Sequence, residues 1–189
     1  MAKMSNESHV QEYRQIIEKF AAQRLNQRVP NGLPQHAAIL IETMFQHAAA
    51  EMRIFSGDCN ETVFGKPSTI AAVCNFLSKP YAVLRILVQN EKDQEWVDTH
   101  PLVTALKELE SPHGQVEIIA AEGVYSTDEA NHFAVMDNDG YRFEFDHQNT
   151  KAVANFNEPE VAKELLSAFD SAFKLAKETH KPLFKLPAA

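Results

Sequence analysis

The chain has 189 residues, 44% of them hydrophobic and 23% charged, and a formal net charge of −8. That length suits one domain with an appendage and can bury about two-thirds of the unfolded surface, so neither a disulfide nor a metal is needed to hold it together. The acidic total argues against the long basic footprint that tracks a nucleic-acid backbone. Cys59 and Cys74 are too few for a disulfide framework and lack metal-ligand spacing. No apolar run approaches the ~18 residues of a membrane span, and the first residues have no secretory pattern. These features predict a cytoplasmic protein without a resident metal or cofactor.

Residues 9–26 place Val10, Tyr13, Ile16, Ile17, Phe20 and Leu25 near a period of 3.6, which predicts an amphipathic helix. Pro30, Asn31, Gly32 and Pro34 then interrupt regular structure. Residues 35–50 predict a buried helix, followed by a strand over 52–57. Pro67 and Ser68 open a further helix that stops before Pro80, and the aliphatic run at 82–88 predicts a strand covered on both faces. A helix from His100 and a strand in QVEIIAAE repeat the alternation, which predicts parallel strands joined by crossover helices.

The pattern changes at NHFAVMDNDGYRFEFD, residues 131–146, which predicts an antiparallel hairpin, and KAVANFN adds another strand. A closing helix over 158–178 carries Val161, Leu165, Leu166, Phe169, Phe173 and Leu175 near one stripe, with Asn157 as the expected N-cap. The tail, 179–189, is expected to be irregular. The predicted class is α/β, a mixed sheet of parallel strands with crossover helices plus an antiparallel hairpin. A helical extension covers 1–51 and the main domain 52–178.

His132 is the residue that decides how the hairpin is read. Asp139-Gly140 suits a two-residue loop, and an even loop sets His132 among Tyr141, Phe143 and Phe145 as a core histidine. An odd loop sets it beside Arg142, Glu144 and Asp146 instead. The even loop is the expected one, and Arg142, Glu144 and Asp146 are then a solvated face or, on the functional reading, a polar cleft floor. Asp58, Cys59 and Asn60 follow the first main strand, where ligands of open α/β sheets bind. The plain reading there is turn-capping by Asp58 and Asn60 with Cys59 buried. No HExxH, CxxC or glycine-rich phosphate loop is present.

The order strand, helix, strand, helix, strand, hairpin, strand, helix over about residues 52–178 resembles one half-domain of the phospholipase D superfamily. The family carries His-x-Lys-x4-Asp on the hairpin strand and a Gly-Ser-x-Asn segment soon after. Aligning FAVMD with the apolar run before the family's aspartate puts Asp137 at the aspartate place, His132 at the lysine place and Ala130 at the nucleophile place. The other register puts His132 at the nucleophile place, Ala134 at the lysine place and Asp139 at the acid. Asn157 alone matches the later segment. The resemblance implies that two such motifs meet across a homodimer.

It also makes His132, Asp137 and Asn157 the family-matched catalytic positions, with Asp58, Arg142 and Glu144 as ligand-binding candidates. The expected function is a catalytically degenerate module acting through a homodimer, a protein partner or a ligand, with no nucleic-acid partner. The alternative is a weak phosphodiesterase or nuclease using His132 across the dimer interface.

Overall fold

A computed structural model describes residues 6–90, 92–110, 113–121, 131–146 and 151–187. Helix α1 (Asn6–Ala22) is followed by strand β1 (Val29–Asn31), helix α2 (Pro34–His47) and strand β2 (Glu51–Ser56). Then come helices α3 (Glu61–Phe64) and α4 (Pro67–Leu77), strand β3 (Val83–Val88), helices α5 (Gln94–Thr99) and α6 (Pro101–Lys107), and strand β4 (Gln115–Ala120). The hairpin is β5 (His132–Met136) and β6 (Gly140–Asp146), followed by β7 (Lys151–Asn155), α7 (Pro159–Thr179) and β8 (Pro182–Leu186). Four helices, α2, α4, α6 and α7, begin on a proline, whose missing N–H costs nothing in a first turn.

Among the described residues, eight strands form one sheet in the order β1-β7-β6-β5-β2-β3-β4-β8. β2, β3 and β4 are parallel and every other pair is antiparallel, the mixed α/β sheet expected from the pattern. Alternate strand residues face opposite layers. Ile54, Ile86, Ile118 and Ala134 pack with α1, α2, α4 and α6, while Phe55, Leu87, Ile119, Phe133 and Val135 pack with Phe169, Phe173 and neighbouring alanines of α7.

Three elements depart from expectation. The tail is not irregular: β8 pairs antiparallel with β4, its Leu183, Phe184 and Leu186 packing on the core, and its prolines are tolerable because it is an edge strand. The segment read as a break contains β1, three residues paired with β7 at the opposite edge. Asn157 does not cap α7. Glu158 occupies that position without a side-chain capping bond, and the Asn157 amide donates instead to the Arg24 carbonyl at 2.9 Å.

The hairpin loop has three residues, not two. Met136 pairs with Gly140, leaving Asp137, Asn138 and Asp139 between them, and Asp137 adopts a left-handed φ of 53°. Its carboxylate accepts from the N–H groups of Ala49, Ala50 and Glu51 at 2.9–3.2 Å, and its own N–H donates to the Glu51 carbonyl at 2.8 Å. These donors lie between the end of α2 and the start of β2, where no helix or ladder partner serves Ala49. Hydrogen bonds to a charged acceptor are worth about 1.5–3 kcal/mol before solvent exposure reduces them. Asp137→Ala is therefore expected to lower unfolding stability by about 1–3 kcal/mol in urea titration, with Asp137→Asn, which keeps one acceptor and tolerates left-handed backbone, losing less.

Candidate functional site

The carboxyl end of β2, the start of β5 and the facing part of β6 meet on the α2 side of the sheet, leaving a cavity of about 240 Å³. Its apolar wall includes Ala37 and Ile41 of α2 with Val63 of α3, and its polar wall includes Asp58, Asn60, His132, Arg142 and Glu144. This is the end of an open α/β sheet at which ligands bind.

Loop parity decides the polar wall. His132 pairs with Glu144 and Ala134 with Arg142, so the histidine faces the charged residues and not the aromatic ones. The expected even loop is corrected by the three-residue loop, and with it the placement of His132 in an aromatic core. The side chain is 24% exposed at the cavity. Nδ1 lies 3.6 Å from a Glu144 carboxylate oxygen, and Nε2 is 3.2 Å from the Gln89 amide oxygen at the end of β3. Gly57 makes room for the ring, since a Cβ there would stand 2.9 Å from both Cε1 and Nε2.

Arg142 and Glu144 are not a solvated face: they are 6% and 9% exposed. An Arg142 Nη donates to Glu144 at 3.3 Å, and Nε donates to the Asn31 side chain at 2.8 Å. Asn31 belongs to β1, one strand beyond β7, and the small Ala152 and Ala154 of β7 lie between them in the ladder. The short edge strand therefore completes the hydrogen bonding of a buried guanidinium, as a buried charge requires.

Asp58 stands on the other wall. Asn90 and Lys92 both donate to one of its oxygens at 2.7 Å. Burial acts to raise its pKa, but Lys92, Asn90 and the charge of His132 together outweigh that and hold it below the ordinary value. Asn60 accepts from the Thr62 N–H and caps α3. Cys59 is 1% exposed, and burial pushes its thiol pKa up to about 12, so it holds no ready thiolate. His100, buried at 2% exposure, contacts the Cys59 carbonyl through Nε2 at 2.8 Å.

The structure thus brings His132, Asp58, Arg142 and Glu144 to one cavity. Asp137 and Asn157 lie at the other end of the sheet, where Asp137 holds the start of β2 and Asn157 holds the Arg24 carbonyl. Ala130 falls outside the described residues. Gln89, Asn31, Gly57 and Lys92 were not anticipated. Position at the carboxyl ends of β2 and β3 was the available signal for Gly57, Gln89 and Lys92, whereas nothing local marks Asn31. Among the described residues, no group of three or more His, Cys, Asp or Glu could hold a metal ion, and no helix is long and apolar enough to cross a membrane.

The family model described as "Domain of unknown function (DUF7931)" matches residues 33–181. The chain belongs to that family. Its match takes in α2 and the whole cavity-bearing part of the sheet. No curated protein sequence matches the chain. Among solved structures, this DUF7931 chain is similar to TrmBL2, an archaeal chromatin protein with a novel mode of DNA binding. The identity is 11% and the TM-score 0.56, over 90% of this chain and 62% of that one. It is also similar to Nuc from Salmonella typhimurium, a phospholipase D family member, at 10% identity and TM-score 0.52, over 82% of this chain and 98% of Nuc. The DUF7931 chain therefore has a phospholipase D-like fold.

Glu144 supplies a pH test. Burial acts to raise its pKa, but the close approach of His132 and the charge and hydrogen bond of Arg142 outweigh it and hold the carboxyl below its ordinary 4.5. A lowered folded pKa contributes stability above the unfolded value and loses it as pH falls through the folded one. The wild-type chain should accordingly lose stability as pH drops below about 4.5, and Glu144→Gln, though less stable at pH 7, should show a shallower acid limb in denaturant titrations from pH 7 to 3.

Proposed function

We propose that the chain is a catalytically silent phospholipase D-like module, acting as a homodimer or with a protein partner, whose cavity holds a small ligand. The observation that carries this reading is the cavity face of β5, which presents His132 and Ala134. In either alignment with the family motif, the lysine place holds His132 or Ala134. A phosphoryl group gathering negative charge in a transition state needs a cation aimed at it, a contribution commonly worth several kcal/mol. The nearby cations are already engaged, Arg142 by Glu144 and Asn31 and Lys92 by Asp58. A cavity of about 240 Å³ with one apolar and one polar wall favours a ligand smaller than a drug-sized molecule.

One feature favours a second reading, a weak phosphodiesterase. Glu144 beside Nδ1 is the kind of arrangement that orients an imidazole for proton transfer. The two readings separate in a hydrolysis screen with bis(4-nitrophenyl) phosphate and single-stranded DNA. The silent module predicts rates for wild type and His132→Ala that match buffer. Hydrolysis by wild type that disappears in His132→Ala would overturn it in favour of the second. The homodimer predicts a light-scattering mass near twice 21.2 kDa.

A further inference from the structure

The chain has six arginines, and five of them meet a carboxylate: Arg14 with Glu42, Arg24 with Asp139, Arg28 with Glu158, Arg53 with Glu51, and Arg142 with Glu144. Arg85, half-buried on β3, has no ion pair or hydrogen bond among the described residues. Its guanidinium carbon lies 5.6 Å from the centroid of the Phe173 ring of α7, a cation–π contact that restricts the side chain but uses none of its N–H donors. Its ladder neighbours are Arg53 on β2 and Glu117 on β4, and neither satisfies it. Arg53 is held by Glu51 and by Asp170 at 3.2 Å, and Glu117 pairs with Lys177 at 3.3 Å.

Two hollows adjoin at this point on the α7 face, of about 410 and 300 Å³, and both are lined by Arg85 and Glu117. The first adds Phe173, Lys174 and Lys177, and the second adds Lys185 of β8. Setting aside Lys177 with Glu117 and Asp170 with Arg53, the lining charges without an ion-pair partner are Arg85, Lys174, Lys185 and Glu178. Over the whole lining, Arg85, Lys174, Lys177 and Lys185 stand against Glu117, Asp170 and Glu178, a local surplus of one positive charge on a chain whose total is −8.

We propose that Arg85 is the centre of a second ligand site, on the sheet face opposite the cavity, fitted to a small dianion bearing carboxylate or phosphoryl groups. The fork of Arg85 matches either group with two parallel N–H bonds, and Lys174 and Lys185 balance the second charge. A strand-borne arginine already restricted by an aromatic ring loses little freedom on binding.

The test is a titration of the full chain with sodium succinate and, separately, inorganic phosphate, at ionic strength held constant with sodium chloride, followed by amide NMR shifts. Saturable shifts are expected at Arg85, Ile86, Glu117 and 173–178, with none at Gly57 or His132. Arg85→Gln should weaken binding by about tenfold or more, with Arg85→Lys between the two. Saturation by succinate alone assigns a carboxylate ligand, by phosphate alone a phosphoryl ligand, and by both the wider dianion class. Lack of saturation by either anion beyond the chloride control, or unchanged affinity in Arg85→Gln, overturns the site. Should Arg85→Gln misfold, Lys174→Gln with Lys185→Gln, both at exposed positions, is expected to weaken binding several-fold, and unchanged affinity there overturns the site equally.

Discussion

The Asp137 carboxylate ties the hairpin to the amino end of β2, and the polar wall of the cavity depends on that attachment. It collects three backbone N–H groups from 49–51 while its own backbone turns left-handed to begin a three-residue loop. With Met136 paired to Gly140, the alternation of the two strands leaves no freedom: Arg142 must oppose Ala134, and Glu144 must oppose His132. A loop shorter by one residue would send both charged side chains to the α7 face, where Phe55, Phe133 and Phe169 pack at centroid distances of 5.7 and 6.5 Å. The cost of burying unpaired charge there forbids that register.

The same constraint shapes the electrostatics. Glu144 and Arg142 are buried as a pair, and such pairs tend to be near neutral for stability as a unit and costly to break. Each member is held by more than its partner, Arg142 by Asn31 and Glu144 by His132. Across the cavity Asp58 is compensated by Lys92 and Asn90. His132 therefore stands between two carboxylates whose own cations are already in place. Among the described residues, the cations near the cavity, Arg142 and Lys92, are each paired with a carboxylate. Arg85 on the opposite face differs: among the described residues it has no ion-pair partner and rests against the Phe173 ring.

Much of the fold could be read from the residues, because β3 is an aliphatic run, β2 and β4 are short apolar-rich segments, and α2, α4 and α7 have both proline starts and apolar stripes. The carboxyl-end position of Asp58 was legible for the same reason. The loop length was not. Asp139-Gly140 is a strong local signal for a two-residue turn, and it loses to hydrogen bonds between Asp137 and a segment 88 residues earlier. The family-matched Asp137 and Asn157 were visible by motif, yet motif spacing does not say at which end of a strand a side chain is used. β1 and β8 were hidden by their prolines, which are tolerable only because tertiary packing places both strands at sheet edges. Asn31 could not be found at all, since its partner Arg142 lies 111 residues away and two strands across.

The hairpin register is the claim on which the site rests, and cross-strand NOE spectroscopy on isotopically labelled chain measures it directly. The account predicts backbone contacts linking His132 with Glu144 and Ala134 with Arg142. Contacts that pair His132 instead with Phe143 or Phe145 would place the imidazole among the aromatics and contradict it.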